Sequence, residues 1–183
     1  FSFQTPSWAD DIRDLQIEGM SVGDSLLDYM SKNEIKNAEQ NSTYMKDKKF
    51  IIIYSPSKSE VYDDVQITYK PKDNKYLIHA LDGKIYFKNN IKACKKKRKE
   101  IVNEIKDMFK DAKITKEEVK HSYDKSGKTT VTRTYFLFKS NDYVDVYCND
   151  WSPEMFKKHR WVEDLGVSIG SSEYRTFLFK AYK

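Results

Sequence analysis

The stretch Thr129-Thr130-Val131-Thr132-Arg133-Thr134-Tyr135-Phe136-Leu137-Phe138, a turn at Asn141-Asp142, and then Tyr143-Val144-Asp145-Val146-Tyr147-Cys148 decide the fold class. Both runs are rich in β-branched and aromatic residues, and a tight polar turn separates them, which is the pattern of paired antiparallel strands. In the second run alternation puts Val144, Val146 and Cys148 on one face and Tyr143, Asp145 and Tyr147 on the other. In the first, Tyr135 and Leu137 face one way and Phe136 and Phe138 the other, as in a buried strand. Upstream, Ile114 to His121 and the turn Asp124-Lys125-Ser126-Gly127 add a further strand, so the region reads as a meander.

Before it lies a helix. Ile91, Cys94, Ile101, Val102, Ile105, Met108, Phe109 and Ala112 recur mostly every three or four residues, which makes one apolar stripe that includes Cys94. Earlier still, Phe50 to Tyr54, Val61 to Tyr69, Tyr76 to Ala80 and Lys84 to Phe87 read as short strands parted by Ser55-Pro56-Ser57, Pro71-Lys72-Asp73-Asn74 and Asp82-Gly83, a first meander. Ser21 with Asp24 reads as a capped helix start running to about Ser31, and Asn33 as the cap of a second helix. Downstream, Ser152-Pro153 opens a short helix, Val162 to Ile169 is a candidate strand, and Tyr174, Phe177, Leu178 and Ala181 define an amphipathic C-terminal helix. The expected architecture is one α+β domain: an antiparallel sheet of two meanders, with the long helix and the C-terminal helix packed on one face. Residues Phe1 to Gln16 read as an irregular arm.

The 183 residues are 39% hydrophobic, 14% aromatic and 33% charged, with 6 Gly and 4 Pro, a composition that folds and that excludes intrinsic disorder. No apolar run approaches the roughly 18 residues that span a bilayer, so an integral membrane protein is not expected. The chain starts at Phe1 rather than Met, and removal of an upstream segment such as a secretory signal is the corresponding expectation. Cys94 and Cys148 both face the core and leave two states open, a disulfide in an oxidising compartment or a pair of buried thiols.

Ile17-Glu18-Gly19-Met20-Ser21-Val22-Gly23-Asp24-Ser25-Leu26-Leu27-Asp28-Tyr29 and His121-Ser122-Tyr123-Asp124-Lys125-Ser126-Gly127-Lys128 resemble segments of uncharacterised proteins of marine bacterial genomes and metagenomes. The resemblance covers most of the chain. It implies export to the envelope or periplasm, and it implies no activity.

The densest charged feature is Lys95-Lys96-Lys97-Arg98-Lys99. Five consecutive residues cover every face of a helix, so the run is a candidate contact for an anionic surface or polyanion but not a one-sided recognition face. A net charge of +5 from 33 basic and 28 acidic residues argues against nucleic acid as the partner. His79, His121 and His159 offer no zinc spacing, so neither a metal nor a cofactor is expected. Cys148, Asp150 and His159 form the one loose catalytic constellation, with Cys148 as nucleophile; its core-facing position opposes the exposed, electropositive setting a thiolate needs. The leading expectation is a non-catalytic interaction or ligand-binding domain of the envelope, with Tyr143 and Tyr147 on an open contact face and another envelope protein as one possible partner.

Overall fold

A computed structural model of the chain describes residues 11–55 and 59–181. Most of the N-terminal arm, with Pro6 and Trp8, and the Pro56-Ser57 break therefore lie outside the described residues. Eight strands form one antiparallel sheet. They are β1 (Thr43–Tyr44), β2 (Ile51–Tyr54), β3 (Asp64–Tyr69), β4 (Ile78–Tyr86), β5 (Lys113–Lys120), β6 (Thr130–Leu137), β7 (Tyr143–Asp150) and β8 (Asp164–Gly170). Their spatial order is β1-β2-β3-β4-β8-β7-β6-β5. The first meander ends at β4; helix α2 (Ile91–Met108) then carries the chain across the sheet to β5, and the second meander walks back until β8 pairs with β4.

Helix α1 (Lys32–Glu39) starts at Ser31, whose hydroxyl accepts from the Glu34 amide while the Glu34 carboxylate accepts from the Ser31 amide. That capping box replaces the cap expected at Asn33, because Ser31 alone has a glutamate three residues on to reciprocate. The helix expected from Ser21 is instead a tight irregular path with a single 3₁₀ turn at Leu26–Asp28, capped by Ser25. Asp24 acts there in reverse, its carboxylate accepting from the Ser21 amide and the Tyr29 hydroxyl. Helix α3 (Pro153–His159) begins at Ser152 as expected. Asp124 ties that cap to the preceding turn, accepting from Thr129 and Ser152, and hydrogen bonds from Thr129 and Ser126 hold its carboxyl well below the usual range.

Asp82-Gly83 is not a turn. Both residues lie inside β4, which runs unbroken where two short strands were expected. Glycine is needed at 83 because a β-carbon would come within 2.5 Å of the Tyr62 ring.

The main core lies on one face of the sheet. Ile12 to Met30, α1 and α2 cover it, with Ile101 and Ile105 packed among Val144, Val146, Leu165 and Val167. Cys94 of α2 and Cys148 of β7 are bonded there as a disulfide, which closes the alternative left open by the sequence. Helix α4 (Ser172–Ala181) lies against the opposite face, contrary to the one-sided packing expected. Its Tyr174 and Phe177 meet Phe50, Ala80 and Tyr143, residues whose alternation points away from α2. The chain leaves β8 at Gly170 and turns directly into α4 through Ser171, whose hydroxyl accepts from the Tyr174 amide.

Candidate functional site

On the face away from α2, the registered pairs Asp82↔Ser168, Ser168↔Asp145 and Asp145↔Tyr135 form a polar row across the middle of the sheet. The next row holds Lys84, Gly166, Tyr147 and Arg133. Two glycines of β8 shape this surface. A β-carbon at Gly166 would lie 2.1 Å from Tyr147 Cζ, and one at Gly170 would lie 2.4 Å from Tyr143 Cε1. Both tyrosine rings can therefore lie down over β8 instead of standing off the sheet. With Ala80 and Ser168 also small, the centre of the face is left concave, and α4 roofs one side of it.

The result is a cavity of about 440 Å³. Its floor is Gln66, Thr68, Ala80, Asp82, Tyr143, Asp145, Tyr147 and Ser168, with Arg133 and Tyr135 at the side and Tyr174, Arg175, Leu178 and Phe179 of α4 above. Tyr135 stacks on Tyr143 with ring planes 12° apart, and its hydroxyl accepts from Arg175 Nε at 2.9 Å. Asp145 is buried and ion-paired with Arg133, which also lies 3.8 Å from Glu117. The Tyr147 hydroxyl donates to Asp82 at 3.0 Å and 3.2 Å. Burial pushes the Asp82 carboxyl up to about 7, against the opposing pull of Lys84 and of the Tyr147 hydrogen bond. Burial likewise drives the Tyr143 and Tyr147 phenols well above their ordinary range.

Tyr143 and Tyr147 thus occupy the face that alternation assigns them, but as the floor of a cavity and not as an open contact patch. Tyr143 is 5% exposed, under α4. Asp82, Asp145, Arg133 and Arg175 were not recognised as site residues. A readable signal existed for Asp145, a charge set between Val144 and Val146 in a central strand; for Asp82 the Asp-Gly pair imitates a hairpin turn.

The Cys148, Asp150 and His159 constellation is not assembled. Cys148 is fully buried and bonded to Cys94, so no thiolate exists there, and the His159 ring is stacked on Trp161 at 4.4 Å and packed against Tyr123. Of the basic run, Lys95 pairs with Glu118 at 3.1 Å and Lys97 with Glu100 at 3.3 Å, while Arg98 donates to Thr134 over β6; Lys96 and Lys99 are exposed. Among the described residues no group of three His, Cys, Asp or Glu side chains could hold a metal ion. No described helix is long and apolar enough to cross a membrane. Compared with known proteins, the chain matches no family model, no curated protein and no solved structure.

Proposed function

We propose that this chain is a non-catalytic binding domain of the bacterial envelope, and that its ligand occupies the cavity between the sheet and α4. The observation that carries the reading is the cavity itself: concave, lined by tyrosine and phenylalanine rings together with polar and charged side chains from both the sheet and α4, and holding a carboxyl far from its ordinary pKa. Its volume falls near the lower end of the roughly 300–1,000 Å³ typical of small-molecule sites, which favours a small solute over a protein partner. The Cys94–Cys148 bridge supports an oxidising compartment, where such bonds persist.

Titrating a small-molecule fragment library into the ¹⁵N-labelled, oxidised chain tests this. Saturable shifts should gather at the amides of Tyr143, Tyr147, Ser168 and Arg175. Binding confined to the α2 face or to the rim of the sheet would overturn it.

A further inference from the structure

The charges around the cavity differ in how fully they are matched. Arg133 and Asp145 hold each other, with Glu117 beside them. Asp82 is different: among the described residues its two oxygens accept only from the Tyr147 hydroxyl, which leaves acceptor capacity facing the cavity. Arg175 is its counterpart on the roof. It donates Nε to Tyr135 and lies over Phe179 at 4.8 Å, and it makes no ion pair among the described residues. One carboxylate on the sheet and one guanidinium on the helix therefore border the same space, neither held in an ion pair among the described residues, although Lys84 pulls on Asp82 from outside the cavity lining. Tyr143, Tyr147 and Leu178 add aromatic and aliphatic surface to the same cavity.

A ligand with only a negative charge would match Arg175 but bring a second anion toward Asp82. A ligand with only a positive charge would leave Arg175 unmatched. A neutral sugar would supply neither countercharge, and leaving charged groups unmatched in a partly desolvated site is costly. We propose, on the basis of the binding-site reading above, that the cavity takes a small amino-carboxylate zwitterion, its ammonium on Asp82, its carboxylate on Arg175 and its side chain against the tyrosine and leucine wall. Guanidinium matches a carboxylate through paired N–H donors, and tyrosine faces beside Asp82 favour a cation.

The test is an NMR titration of the oxidised chain with the twenty common L-amino acids, β-alanine and γ-aminobutyrate. The best binder is then compared with its decarboxylated amine, its deaminated acid and glucose. At least one zwitterion should saturate the cavity amides, with each single-charge analogue at least tenfold weaker. Asp82→Asn and Arg175→Gln should each weaken the zwitterion roughly 10- to 100-fold, while Arg175→Lys restores part of the loss and the amide spectrum reports that each variant is folded. If fragments or glucose bind the cavity and no zwitterion does, this inference fails and the binding-site reading stands. If nothing binds the cavity, both fail.

Discussion

Asp82 carries a cost that the rest of β4 does not. A carboxyl lifted to about 7 by burial is neutral in the folded chain and ionised in the unfolded chain over the window between about pH 4 and 7. The folded state binds the extra proton there, so this group's contribution to stability falls as pH rises through that window and stays at its least favourable above it. The charges that face it are Lys84 on its own strand, Asp164 on β8, Tyr147 and Asp145 on β7, Arg133 on β6 and Arg175 on α4. Replacing Asp82 by Asn removes the charge and keeps an acceptor for Tyr147. Thermal melts should show the variant more stable than the parent at pH 8, by at most about 4 kcal/mol, and close to it at pH 4. A variant no more stable at pH 8 would show that the carboxylate is well solvated. At this scale the sequence was only partly readable. Alternation assigned Tyr143 and Tyr147 to the correct face, but their exposure depends on Gly166 and Gly170 of a neighbouring strand, and no local pattern reveals that. At Gly83 the local pattern misled, because Asp-Gly favours a hairpin and only the Tyr62 ring explains why glycine is there.

Helices were legible where a period declared them. The stripes of α2 and α4 depend on residues three and four apart, which local sequence records, and both helices form as read. Which side of the sheet α4 takes was not legible, since an amphipathic stripe requires an apolar partner and this sheet offers one on each face. The start of α1 turns on one residue, and substitution can decide it. Ser31→Ala should destabilise the chain by about 1 kcal/mol in chemical denaturation, whereas Asn33→Ala should change it by a few tenths at most. The reverse order would restore the cap to Asn33. In α2, Lys95 and Lys97 have acidic neighbours and Arg98 is turned to β6, while Lys96 and Lys99 are exposed, so the five-residue run is spread around the helix and forms no single face.

For the whole molecule, the two-meander plan was readable because turns and alternation are local. The join between the meanders was not, because β4 and β8 are far apart in the chain and meet only through pairing. The disulfide is the covalent form of the same long-range closure, linking α2 to β7 across a separation of 54 residues. Replacing both cysteines by alanine should cost about 4 kcal/mol on a chain-entropy basis and lower the melting temperature by about 10 °C. The oxidised parent should also show no reactive thiol after denaturation without reductant. Two thiols titrated under those conditions would break the argument for an oxidising compartment.

The position of β8 bears on the order in which a growing chain can mature. Every described strand but β8 is complete by Asp150, yet β4 and β7 have no shared neighbour until Asp164 to Gly170 has been synthesised. Without β8 the sheet would be two half-sheets with open edges, and the floor of the cavity would lack Gly166 and Ser168. A chain cut short before Asp164 would therefore lack both those floor residues and the strand that joins the half-sheets, so the cavity and the continuity of the sheet would be lost together.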